Sequence, residues 1–132
     1  MILIDTSVLC AYYNSRDVHH KRAVEIIEDV VSKKYGKAII TDYIFDELVT
    51  VAMRKIGKPL SIEIGGYLLN SEILIFKINN IVFDKSWKLF KEEQNFSFTD
   101  STTVVFMETF SIKKIATFDK EFKKIKNIEV ID

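Results

Sequence analysis

A second cysteine is missing from these 132 residues, so Cys10 has no partner for an internal disulfide. It is read as a packing residue in a chain suited to a reducing compartment. Long apolar runs are missing as well, and nothing approaches the roughly 18 consecutive apolar residues of a membrane helix. Asp5 interrupts the one apolar stretch near the N-terminus, and no basic segment precedes it. Neither a signal peptide nor a membrane span is therefore expected, and the cytoplasm is the expected location. An excess of either charge is also missing: 19 basic residues balance 19 acidic ones, which removes any global attraction for a polyanion and leaves only local patches. No glycine-rich phosphate loop, no Cys/His cluster and no Ser/His/Asp set can be assembled. These absences set aside P-loop chemistry, a zinc site and covalent nucleophilic catalysis.

What is present is enough apolar material for one self-sufficient core, and no repeat, low-complexity stretch or linker divides it; a single domain over residues 1–132 is expected. Four short β-branched runs, Ile2 to Ile4, Ala38 to Ile40, Ile73 to Ile78 and Lys114 to Ala116, have the length and continuous apolarity of strands buried on both faces. A fifth lies at Ile128 to Ile131. Helical spacing of Val24, Ile27, Val30 and Val31 predicts a helix over Asp17 to Tyr35, with Gly36 as its cap. A second helix is predicted over Asp42 to Ile56, then a weaker one after Pro59 broken by Gly65 and Gly66. Phe83, Trp87 and Phe90 mark another, with their rings assigned to the core, and Thr99 to Phe110 one more. His19 and His20 read as a solvated turn. The expected class is α/β, a three-layer α/β/α fold with a central parallel sheet of four to five strands. Ligands of such sheets bind outside the carboxyl ends of the strands.

That edge collects acids. Asp5 follows the first strand directly, and Asp119 follows the fourth after Thr117 and Phe118. Glu47 lies about a turn and a half into the helix that begins past the second strand, and Asp100 in the first turn of a late helix. At about 100° per residue, Glu47 falls about 40° from Val51 on the apolar arc, whereas its neighbour Asp46 faces solvent. Asp100 lines up with Val104 and Met107 and also leans inward. Each acid has a local structural alternative: Asp5 and Asp119 as helix caps, Asp100 in a capping box with Ser97, Glu47 paired with Arg54. Their shared location argues for a common role. A like-charge pair at about 4 Å costs on the order of 4 kcal/mol at an effective dielectric of about 20, so lysines, shared protons or a cation must relieve the cluster. All-carboxylate sites suit Mg²⁺ or Mn²⁺.

The stretches MILIDTSVL, ITDYIFDELVTVAMR, FSFTDSTTVVFME and IATFDKEF, in this order, resemble the PIN domain, and within it the VapC-type toxin ribonucleases of toxin–antitoxin pairs. The resemblance spans essentially the whole chain. It implies that Asp5, Glu47, Asp100 and Asp119 form an acidic site for Mg²⁺ or Mn²⁺, with Asp5 and Asp100 as the most direct ligands. Thr6, Ser7 and Thr117 match supporting hydroxyl positions. It further implies a metal-dependent endoribonuclease that hydrolyses phosphodiester bonds in structured RNA such as tRNA or rRNA, leaving a 5′ phosphate and a 3′ hydroxyl, and that pairs with a VapB-like antitoxin and forms a homodimer. The chain departs from the pattern at Thr102, Thr103 and Phe106, where relatives often carry alanines, and at Ser111, often glycine.

Because acids repel RNA, basic groups at the rim must attract it. Lys120, Lys123 and Lys124 are the candidates, with a solvated lysine face as the alternative. Two other families that begin with a strand and an acid fit less well. A haloacid-dehalogenase-like phosphatase expects a second acid where Ser7 stands, and a receiver domain expects an acidic pair after the first strand and a phosphorylatable Asp near Lys77 to Asn79. A PIN nuclease of RNA processing without an antitoxin, or a PIN-like module that binds without cutting, are the remaining readings.

Overall fold

A computed structural model describes all 132 residues. The elements run β1 (Ile2–Ile4), α1 (Thr6–Tyr13), α2 (His20–Val31), β2 (Ala38–Thr41), α3 (Asp42–Ile56), α4 (Lys58–Leu69), β3 (Leu74–Phe76), α5 (Asn80–Glu92), α6 (Phe98–Thr109), β4 (Lys114–Ala116), a 3₁₀ turn (Lys120–Lys124) and β5 (Glu129–Ile131). The five strands form one parallel sheet in the order β3-β2-β1-β4-β5, with Leu3 of β1 opposite both Ile39 and Ile115. Ile2, Leu3 and Ile4 are completely buried, as strands covered by helices on both faces must be.

The chain steps outward from β1 through β2 to β3, then returns past β1 to β4 and β5. Right-handed crossovers accordingly set α5 and α6 on the face opposite α1 to α4. Between β1 and β4 the direction of winding reverses, and the crevice outside the carboxyl ends of these two strands is where such sheets bind ligands. Asp5 and Asp119 follow those two strand ends.

Several boundaries differ from the sequence reading. The first helix, α1, follows β1 without a loop and was not anticipated, because Asp5, Thr6 and Ser7 look like a turn until Asp5 is seen capping it. The second is confined to His20–Val31; Asp17 forms the turn before it, and Lys33, at φ 62°, takes the left-handed position beyond its end. Gly36, at φ 82°, turns the chain into β2, where an added Cβ would stand 3.0 Å from the Met1 nitrogen. Gly65 and Gly66 lie inside an unbroken α4, with Pro59 harmless in its first turn. β3 is shorter than expected and, as an edge strand, is exposed at Leu74 and Phe76. Trp87, Phe83 and Phe90 are not core residues, being 51%, 44% and 37% exposed. Nor is the histidine turn fully solvated: His19 stacks on Phe118 at 4.4 Å, and His20 Nδ1 lies 2.8 Å from the Ala11 carbonyl, to which it can donate.

Helix α6 is the most deeply set helix, with Ser101 through Met107 all buried. Thr102, Thr103 and Phe106 therefore fill space beneath the sheet edge. Ser111 takes the left-handed conformation, φ 54°, in which glycine is free of strain.

Candidate active site

Asp5 is the N-cap of α1, yet it is 5% exposed and draws partners from far along the chain. Its Oδ2 accepts from the Ser7 backbone at 3.3 Å, the Ser7 hydroxyl at 2.6 Å and the Thr117 hydroxyl at 2.8 Å. Both hydroxyls also accept: Ser7 Oγ from the Phe118 N–H at 3.0 Å, Thr117 Oγ1 from the Asp119 N–H at 3.0 Å. This mesh ties the end of β1 to the segment after β4. Asp119 in turn accepts from the Glu121 N–H at 2.9 Å and starts the 3₁₀ turn.

Asp100 completes a capping box with Ser97. The Asp100 N–H donates to Ser97 Oγ at 3.0 Å, and the Ser97 N–H donates to Asp100 Oδ2 at 2.8 Å. Glu47 is half-buried on α3, while Asp46 beside it is exposed, as the helical arc requires. Glu47 forms no ion pair with Arg54 or any other cation.

The four carboxylates feel one another. Burial pushes the Glu47 carboxyl above its usual range, and the charges of Asp5 and Asp100 add to this, with Thr99 pulling the other way. Burial likewise raises Asp100, opposed by the hydrogen bonds from Ser97 and reinforced by Asp5 and Asp119. As the side chains stand, no three of them gather on one point as metal ligands would. Asp5, Asp100 and Asp119 each commit one oxygen to a cap. The other oxygen of each accepts no hydrogen bond from the protein, and Asp5 Oδ1 is not sealed from solvent. A donor set of carboxylates alone, two of them held above their normal pKa by burial and repulsion, fits a hard divalent cation such as Mg²⁺ or Mn²⁺.

The supporting residues separate. Ser7 and Thr117 hold Asp5, whereas Thr6 points its buried Oγ1 where it finds no partner. Lys120, Lys123 and Lys124 are exposed on the turn after Asp119, but Lys124 pairs with Glu121 at 2.7 Å and Lys123 with Asp132. Only Lys120 of the three carries no ion pair. Missed in the sequence were the rings bordering the acids, Tyr43 one turn before Glu47 and Phe98 two residues before Asp100, which meet at 5.6 Å. Their positions relative to the acids were a usable signal, obscured by the assumption that aromatics belong to the core.

Residues 2–128 match the PIN domain family. The chain belongs to it. A VapC ribonuclease of Archaeoglobus fulgidus is 31% identical over 123 residues, covering 91% of this chain and 78% of that protein. This places the present PIN domain with the VapC type. The 23S rRNA-specific endonuclease VapC20 of Mycobacterium tuberculosis is 22% identical over 132 residues, 98% of each chain. The crystal structure of VapC20, described as a sarcin-ricin loop cleaving toxin, has the same fold with a TM-score of 0.83 at 20% identity and 98% coverage of both chains. VapBC2 of Rickettsia felis, solved on a DNA fragment from its promoter, matches over 100% of both chains at 17% identity with a TM-score of 0.70.

Proposed function

We propose that this PIN domain, one unit over residues 1–132, is a metal-dependent endoribonuclease of the cytoplasm and the toxin of a VapBC-type pair. Its partners are a structured RNA, tRNA or rRNA, a VapB-like antitoxin and a second copy of itself. The observation that carries this reading is the hydroxyl mesh that fixes Asp5 between α1 and β4, within electrostatic reach of Glu47 and Asp100 and bonded through Thr117 to the backbone of Asp119.

In this reading Asp5 and Asp100 hold Mg²⁺ or Mn²⁺ directly, and Glu47 and Asp119 complete the site. The ion, when bound, supplies orientation of the scissile phosphate, acidification of a water and charge neutralisation on the leaving 3′ oxygen. The chain's own residues do the rest. Ser7 and Thr117 saturate Asp5 Oδ2 and so leave Oδ1 to face the cleft. Ser97 fixes Asp100 by the same division of its two oxygens. Glu47 or Asp119 orients or deprotonates the attacking water. The products are a 5′ phosphate and a 3′ hydroxyl.

Purified protein with Mn²⁺ is expected to cut structured RNA, and Asp5→Asn and Asp100→Asn to abolish the cutting. Variants that cut as well as the parent would remove the nuclease reading. Expression is expected to arrest growth only while Asp5 is intact; harmless expression of an active nuclease would remove the toxin reading and leave an RNA-processing enzyme.

A further inference from the structure

His19 is one of two histidines in the chain, and the fold holds the two in different ways. His20 places Nδ1 2.8 Å from the Ala11 carbonyl, so one of its ring nitrogens is engaged within the fold. The His19 ring instead lies flat on Phe118, with centroids 4.4 Å apart and planes at 14°, and neither of its nitrogens hydrogen-bonds to the protein. Its backbone is pinned on both sides. The His19 N–H donates to Asp17 Oδ1 at 2.8 Å, and the His19 carbonyl accepts from the Ala23 N–H at 2.8 Å. His19 is also the N-cap of α2, yet its side chain makes no cap bond, which Ser, Thr, Asn or Asp would supply there. The residue is exposed, so neither burial nor capping accounts for an imidazole at this position.

Bonding places the stack beside the acids. Phe118 lies between Thr117 and Asp119, and its N–H donates to Ser7 Oγ at 3.0 Å, while the Ser7 hydroxyl donates to Asp5 Oδ2 at 2.6 Å. Two hydrogen bonds therefore separate the backbone that carries the stack from the Asp5 carboxylate. Acids repel a polyanion, and of the three lysines after Asp119, Lys123 is engaged by Asp132 and Lys124 by Glu121. An imidazole carries at least one N–H in every protonation state. With one face of the His19 ring resting on Phe118, its edge stays free and its direction is set before anything binds. We propose that His19 is a substrate-binding residue whose ring, held on Phe118, donates a hydrogen bond to a backbone phosphate flanking the one at the carboxylates. The inference rests on the ribonuclease reading for the identity of the polymer. It adds the path of the strand, which leaves the acids over the segment after β4 toward the start of α2.

Because the chain has only two histidines, the imidazole NMR signals isolate His19 and make His20 an internal reference. Wild-type protein in EDTA, where binding is separated from cutting, should be titrated with a short oligouridylate and, separately, with uridine at the same nucleoside concentration. Oligouridylate should shift the His19 ring signals and leave those of His20 in place, and uridine should shift neither. In anisotropy titrations with dye-labelled oligouridylate, His19→Phe keeps a ring on Phe118 and removes the donor, and should bind roughly tenfold more weakly. His19→Arg should bind at least as tightly as the parent, because a guanidinium both stacks on an aromatic face and donates to phosphate. Unshifted His19 signals, equal shifts with uridine, or His19→Phe that binds as the parent does would overturn the proposal. Equal weakening in His19→Phe and His19→Arg would also overturn it, and would assign the ring to the folding of the turn before α2. If the His19 shifts and the weakening in His19→Phe appear but the Mn²⁺-loaded protein cuts no RNA, the phosphate contact stands and the ribonuclease reading falls.

Discussion

The Thr117 hydroxyl donates a hydrogen bond of 2.8 Å to Asp5 Oδ2 across 112 positions of sequence, and Thr117 Oγ1 itself accepts from the N–H of Asp119 at 3.0 Å. One buried hydroxyl thus sets the spacing between the ends of two neighbouring strands and the acids they carry. Thr117→Val keeps the shape and removes both bonds, leaving the half-buried Asp119 N–H and the buried Asp5 Oδ2 each short of a partner. Unmatched buried groups cost about 1–3 kcal/mol. Urea unfolding should show a loss of that size in Thr117→Val and a smaller one in Thr117→Ser, and any RNA cutting should fall in Val and persist in Ser. Equal behaviour of the two variants would mean that the hydroxyl positions nothing.

The raised carboxyls of Glu47 and Asp100 make the metal-free protein sensitive to pH in a defined direction. Both bind protons more readily folded than unfolded, so the stability they contribute is fully present below the unfolded carboxylate range and is lost as pH rises through their higher folded values. In EDTA the Tm is therefore expected to fall as pH rises above the usual carboxylate range of about 4, and Glu47→Gln to flatten that fall. Mn²⁺ should raise the Tm at neutral pH, through a stabilisation of about 2.7 kcal/mol at a hundredfold excess over its Kd. A wild-type Tm that is independent of both pH and Mn²⁺ over this range would contradict the electrostatic account.

Much of the frame was legible because buried parallel strands announce themselves. Lys114 to Ala116 and the helix Asp42 to Ile56 coincide with β4 and α3 residue for residue. Helix α1 was not legible, since a capped helix that starts on the heels of a strand shows no loop, and the polar residues at its start are also turn formers. The glycines of α4 misled for a related reason. Gly65 is there for the approach of another helix: an added Cβ would stand 3.2 Å from Val49 Cγ1 and 3.4 Å from Phe45 Cζ. Proximity of that kind leaves no local signature. At the site, the burial of Glu47 and the exposure of Asp46 followed from helical angle alone. The hydrogen bonds of Ser7 and Thr117, and the idle hydroxyl of Thr6, depend on which strands become neighbours.

Adjacent glycines give a paired test of that packing. Nothing stands within 4 Å of a Cβ at Gly66, so Gly66→Ala should gain up to about 1 kcal/mol from helix propensity. Gly65→Leu forces side-chain bulk between α3 and α4 and should lose about 1–3 kcal/mol. Chemical denaturation of the two variants should give opposite signs. A stabilised Gly65→Leu would show that the two helices separate freely.

The capping box of α6 couples stability to the position of an acid. Ser97→Ala removes the oxygen that accepts the Asp100 N–H and should cost about 0.5–2 kcal/mol. Ser97→Thr should recover most of it. Because the Ser97 N–H still donates to Asp100 Oδ2 in both variants, the Asp100 carboxylate keeps one anchor, and any RNA cutting should fall less than in Thr117→Val. A larger activity loss in Ser97→Ala would shift the weight of positioning from the sheet edge to the helix start.

Cys10 offers a readout of the site that needs no substrate. Its thiol is pushed up to about 11, first by burial and further by the charges of Glu47, Asp5 and Asp17, against the opposing pull of Lys55. The thiolate is the nucleophile, so at about pH 8 native Cys10 should react with iodoacetamide about a hundredfold more slowly than the same thiol in urea. A divalent cation that neutralises Asp5 and Glu47 weakens two of the three charges that oppose ionisation and leaves burial untouched. Adding Mn²⁺ to the native protein should therefore quicken alkylation modestly, and Asp5→Asn should blunt that response. Mass spectrometry of the alkylated fraction over time measures both rates. A Cys10 that reacts as fast folded as unfolded, or one slowed by Mn²⁺, would contradict the charge arrangement around Asp5 and Glu47.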